Sequence, residues 1–100
     1  MKRRQVGYAP EADKDFDWIY DVVALGGGAT IALEYVQRLR AFCQRLEHAA
    51  ERGNRRDDIR TGLRVAGFEK RITVAFSVDE NHVLVLQLFY GGKDWEAVLR

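Results

Sequence analysis

Three consecutive glycines, Gly26-Gly27-Gly28, separate two stretches of helical periodicity, and this break constrains the chain more than any other feature. Upstream, Ala12, Phe16, Ile19, Tyr20 and Val23 recur at the spacing of one helix face across residues 11–25. Glu11, Asp13 and Asp15 fill the first turns, where the positive end of the helix dipole favours carboxylates. Downstream, Ala32, Tyr35, Val36, Leu39, Phe42, Cys43 and Leu46 form a second stripe within residues 30–50. Glycine supplies the backbone angles a sharp reversal needs, so the two helices are expected to form an antiparallel hairpin. Each helix has one apolar face, and the pair therefore requires another layer to cover it.

The remaining sequence can supply that layer as a sheet. Residues 3–8 read as a first strand, closed by Ala9-Pro10 because proline cannot donate to a ladder. Arg52-Gly53-Asn54 is a turn signal, and Leu63-Arg64-Val65 begins to alternate. In residues 71–78, Ile72, Val74, Phe76 and Val78 point one way and Arg71, Thr73, Ala75 and Ser77 the other. Asp79-Glu80-Asn81-His82 is a hairpin turn. Residues 83–90 are apolar on both faces, as in a central strand or one covered by a partner. There Val83, Val85 and Phe89 are expected opposite Leu84, Leu86, Leu88 and Tyr90, and the set turned from the hairpin would form an exposed interaction row. Gly91-Gly92 ends the strand, and residues 94–100 can start a last helical turn. The expected fold class is α+β, a single domain over residues 1–100. Its order is an N-terminal strand, an antiparallel helical hairpin and a three-stranded antiparallel meander (β-α-α-β-β-β).

The net charge is only +1, but it is unevenly spread. Residues 52–71 hold seven Lys/Arg against three Asp/Glu, whereas the flanking segments are slightly acidic. Such a patch can steer an anionic partner, or it can be a solvated loop. No apolar run is long enough for a membrane span, and the basic Met1-Lys2-Arg3-Arg4 lacks the apolar stretch of a signal peptide. With one cysteine, Cys43, no internal disulfide can form, and a cytoplasmic setting is expected. There is no Cys/His cluster for a metal, and Gly26-Gly27-Gly28 lacks the Lys-Ser/Thr of a phosphate loop. No metal or cofactor is expected. His48 falls in the long helix and His82 at a hairpin turn, both poor positions for a catalytic base. Trp95 can anchor a partner or fold back over the sheet, and Trp18 can do the same or widen the core face.

The order and spacing of several segments resemble the RelE/ParE superfamily of type II toxin–antitoxin toxins. Tyr8-Ala9-Pro10-Glu11-Ala12 with Asp15-Phe16 and Ile19-Tyr20 is similar to the family's first strand and helix. Leu46 with Arg52-Gly53 is similar to its helix-to-sheet link. Asp58-Ile59-Arg60 with Gly62-Leu63-Arg64 resembles the meander entry of the ParE branch, and Tyr90 through Glu96 resembles the end of the last strand. The resemblance implies a toxin that poisons DNA gyrase and is neutralised by a cognate antitoxin, with operator DNA contacted only through the antitoxin. It implies a target-facing surface of Arg60, Arg64, Arg71, Lys93 and Trp95, and an antitoxin-facing row of Val83, Val85 and Phe89.

The alternative within the superfamily is a RelE-type endoribonuclease acting on the ribosome and messenger RNA. Arg60, Arg64 and Lys93 would then stabilise charge on the scissile phosphate. The outward position where such ribonucleases tend to carry arginine holds Thr73, and the C-terminal tyrosine position holds Leu99. The missing acid–base residue favours the ParE branch, a toxin that binds rather than cleaves. A third possibility is a relic that binds its antitoxin and does nothing else.

Overall fold

The computed structural model describes residues 3–100, so Met1-Lys2 of the basic N-terminus lie outside the described residues. Strand β1 (Gln5–Tyr8) leads into helix α1 (Pro10–Gly27), and α2 (Ala29–Gln44) runs on into a 3-10 turn at Arg45–Glu47. There follow β2 (Asn54–Arg55), β3 (Leu63–Phe68), β4 (Ile72–Val78), β5 (His82–Tyr90) and a short helix α3 (Trp95–Leu99). This is the expected α+β order with one strand added.

Pro10 opens α1 without cost, because the first helical N–H has no intrahelical partner. The helix continues through Gly26 and Gly27, past the expected end, and only Gly28 makes the reversal. Its φ of +89° lies where side chains are disfavoured, and its N–H closes α1 on the Ala24 carbonyl. One residue thus joins two antiparallel helices.

The sheet has five strands in the order β1-β5-β4-β3-β2. The meander β3-β4-β5 is antiparallel as expected, and β1 pairs in parallel with β5, Val6 beside Val83 and Tyr8 beside Val85. The last strand is therefore internal, which accounts for its apolar residues on both faces. The two-residue β2 pairs with β3 where the sequence suggested only a turn.

One hairpin-facing core unites Phe16 and Ile19 of α1, Leu39 and Phe42 of α2, and Val74, Phe76, Val83 and Val85 of the sheet. Burying a side chain of this size contributes about 1.5–3 kcal/mol. A second cluster, Leu63, Val65, Ala75, Phe89 and Leu99, lies on the opposite face beneath α3.

The exposed apolar row expected on β5 is absent. Ala75 pairs with Gln87 and Phe76 with Val85, so Leu86 is an extra residue in the ladder. An inserted residue reverses the parity of every side chain beyond it. Val83 and Val85 face the helices before the bulge, Leu88 faces them after it, and Phe89 points to the other face. Val83, Val85 and Phe89 are respectively 1%, 0% and 2% exposed, covered by the hairpin or by α3.

Candidate functional site

The arginine-rich loop before β3 is largely satisfied by its own chain. Arg56 makes a bidentate pair with Asp58 (Nε–Oδ1 2.9 Å, Nη2–Oδ2 2.8 Å) and reaches Glu96 of α3 at 3.0 Å. Its guanidinium lies 5.1 Å from the centre of the Trp95 ring. These contacts knot the loop to α3. Hydrogen bonding from Arg56 draws the Asp58 carboxyl down to about 2 and lowers Glu96 as well. Asp57 is held low first by the Gly62 N–H and then by Arg55.

Arg64, expected on the target face, is turned back into the protein. Its guanidinium donates to the carbonyls of Glu51 (2.6 Å) and Arg52 (3.0 Å), and its side chain is only 12% exposed. It serves to fix the link between the hairpin and β2. Arg60, Lys70 and Arg71 are exposed and make no ion pair among the described residues. The excess positive charge counted in residues 52–71 is therefore dispersed rather than collected in one patch.

The remaining sequence-nominated cations fall at two places. Arg60 and Arg64 flank the start of β3, which pairs with the Phe76–Ser77 end of β4. Arg71 precedes Ile72 at the other end of β4, beside Tyr90, and Lys93 follows the glycine turn there. The length of β4 from Phe76 to Ile72, about 13 Å at 3.3 Å per residue, intervenes. Trp95 is half-buried on the second cluster beneath Arg56, so the core role weighed for it holds, with one ring face given to a cation. Thr73 is partly covered and Leu99 is buried. His48 and His82 are exposed beside Glu47 and Asp79. No group of His, Cys, Asp and Glu suited to a metal exists among the described residues.

The sequence reading missed the surface around Tyr90. Trp18 is 55% exposed and meets Tyr90 edge-on, with ring centroids 6.0 Å apart, rather than widening the core. Lys14, Asp15 and Lys93 line the same shallow depression. Asp15 Oδ2 accepts from the Leu88 N–H at 2.9 Å, beyond the point where β1 stops covering β5. Burial raises the Asp15 carboxyl, and that hydrogen bond and Lys93 oppose the rise. The hint was the position of Trp18, one residue off the apolar stripe, but nothing local disclosed that β5 would end opposite it.

Comparison with known proteins places the chain in a class that this geometry fits. A helical hairpin on a mixed sheet is the fold shared with the solved structures it matches. Residues 6–95 match the family model described as ParE toxin of type II toxin-antitoxin system, parDE, and the chain belongs to that family. Among solved structures it is similar to the chromosomal ParDE toxin–antitoxin system from P. aeruginosa, with 23% identity and a TM-score of 0.76 over 89% of this chain and 97% of that one. It is also similar to the toxin–antitoxin complex RelBE2 from Mycobacterium tuberculosis, with 13% identity and a TM-score of 0.64 over 93% of this chain and 97% of that one. Both likenesses speak to the fold. No curated protein is similar enough to count as a match. Among the described residues no helix is long and apolar enough to cross a membrane.

Proposed function

We propose that this ParE-family toxin poisons DNA gyrase in the cytoplasm and is silenced by a cognate antitoxin, which also carries the complex to operator DNA. The observation that supports binding over RNA cleavage is the fate of the three cations a ribonuclease would use. Arg64 is taken up by main-chain carbonyls, while Arg60 and Lys93 stand toward opposite ends of the sheet. Charge developing on a phosphate would need several such groups converging within hydrogen-bond reach, with a proton carrier beside them. The antitoxin reading is supported by family membership and by the two matched structures, both from toxin–antitoxin systems. In the gyrase reading Arg60, Arg71, Lys93 and the exposed rim of Trp95 face the target, and Arg64 acts through the loop it holds.

The test is a supercoiling reaction of gyrase, ATP and plasmid with purified toxin. Lost supercoiling with trapped double-strand breaks is expected. Untouched gyrase from a preparation that still arrests growth would overturn the reading and direct attention to messenger RNA cut on the ribosome. Failure to arrest growth at all would leave only the relic.

A further inference from the structure

Six of the described residues have a backbone φ in the left-handed region. Four are Gly28, Gly53, Gly62 and Gly91, for which that conformation carries no steric penalty. The other two are consecutive and bear long side chains: Glu69 at +49° and Lys70 at +60°. They are the central pair of the turn between β3 and β4, closed by the Arg71 N–H on the Phe68 carbonyl at 3.1 Å. A turn with both central residues left-handed is the habit of Asn-Gly or Gly-Gly. With a Cβ at each position the backbone is strained at two successive residues, and such strain persists where it serves a purpose.

Glu69 has its purpose within the fold. Its carboxylate takes the Arg38 guanidinium at two points, 2.9 and 3.1 Å, and so ties the turn to α2. That pairing draws the carboxyl below its ordinary value. Nothing comparable accounts for Lys70. It is exposed and makes no ion pair or side-chain hydrogen bond among the described residues, and glycine in its place would relieve the backbone. Arg71, next in the chain, is exposed and uncommitted in the same way. The turn thus presents two adjacent free cations at the end of the sheet where Tyr90 and Lys93 also lie.

The charge balance says what these cations are suited to meet. Duplex DNA is held through many phosphates at once, and the whole chain carries a net charge of only +1. Helix α1, whose Trp18 meets Tyr90, adds the exposed Asp17 and Asp21 at this end. Two cations flanked by acids match a few carboxylates on a protein surface better than they match a polyanion.

We propose that Lys70 is kept on this strained turn to contact the gyrase surface, where its ammonium and the Arg71 guanidinium pair with carboxylates. The free toxin is less stable than it would be with glycine there, and the side chain serves the target instead. This rests on the reading of the chain as a gyrase poison, and it adds to the target-facing set a residue that the fold does not need.

The experiment compares wild-type toxin with Lys70→Gly, Lys70→Gln and Lys70→Arg. Each is measured for melting temperature, for inhibition of supercoiling by gyrase, and for affinity toward the cognate antitoxin and toward a DNA duplex alone. Lys70→Gly removes strain and charge together, Lys70→Gln removes charge alone, and Lys70→Arg removes neither. Lys70→Gly should melt at or above the wild-type temperature. Lys70→Gly and Lys70→Gln should each need about tenfold more toxin to inhibit gyrase, as for a lost hydrogen bond between charged groups. Lys70→Arg should stay within about threefold of wild type, and antitoxin affinity should hold within about twofold throughout. Full potency of Lys70→Gly would overturn the proposal, because the strained side chain would then serve no target. Lys70→Gly melting below wild type would also overturn it, since no stability would have been forgone. A loss confined to antitoxin affinity, or to binding of the duplex alone, would assign the lysine to that partner and overturn it as well. A wild-type toxin that leaves gyrase untouched would overturn the gyrase reading itself, and this inference with it.

Discussion

Gly53 has a φ of +77°, and a Cβ placed there would run into the carbonyl oxygen of Val65 on β3. Gly53→Ala therefore combines backbone strain with a main-chain collision and should cost more than about 1 kcal/mol in urea denaturation. Asp58 makes a pH-dependent contribution of definite sign. Its folded value of about 2 lies below the ordinary 3.8, so the stabilisation is complete above about pH 4 and disappears as pH falls toward 2. Asp58→Asn should lower the melting temperature at pH 6 and flatten its decline between pH 4 and pH 2, as followed by circular dichroism. Cys43 is wholly buried, and its thiol is pushed up to about 12 by that burial. A thiol reagent at pH 8 should modify it only as fast as the protein opens, and in one equivalent once urea is added.

At the scale of elements, α3 does more than its five residues suggest. Asp94 caps it by accepting from the Ala97 N–H, Arg56 and Arg100 pair with its carboxylate Glu96, and Leu99 closes the second cluster over Leu63, Val65 and Phe89. Leu99→Ala should lower unfolding free energy by about 2–5 kcal/mol, measured in denaturant, and raise binding of a hydrophobic dye. This helix covers Phe89, while the helical hairpin covers Val83 and Val85, so the row expected to be exposed on β5 is buried. Alternation identified β4 correctly, since its inward Ile72, Val74 and Phe76 keep strict period two. On β5 an apolar residue stands at nearly every position, so the bulge at Leu86 left no trace in composition. The helix pair was legible because its stripes are long. Its end was less so, because the propensity penalty of Gly26 and Gly27 is small beside the packing of the hairpin. Strand β2, two residues long, carries no pattern at all.

For the molecule as a whole, the sequence conveyed how much charge there was but not where it would be spent. Arg55, Arg56 and Arg64 are adjacent to uncommitted Arg60 in the chain, and only the folded partners Asp57, Asp58, Glu96 and the 51–53 carbonyls distinguish them. Substituting an uncommitted cation should alter target binding without loss of fold, whereas Arg64→Ala should loosen the link from hairpin to sheet. Lys93→Ala and Arg60→Ala are thus expected to keep the wild-type melting temperature, and Arg64→Ala to lower it, in parallel thermal scans.

The internal position of β5 bears on the order of events during synthesis. Strands β1 and β4 are its two neighbours, yet β5 leaves the ribosome after both. Until it inserts, β1 has no ladder to join, and the helices miss Val83 and Val85 from the surface they cover. Before that point the sheet lacks its internal strand and cannot be complete. Any surface that depends on the whole sheet thus arises late, only once β5 has been made.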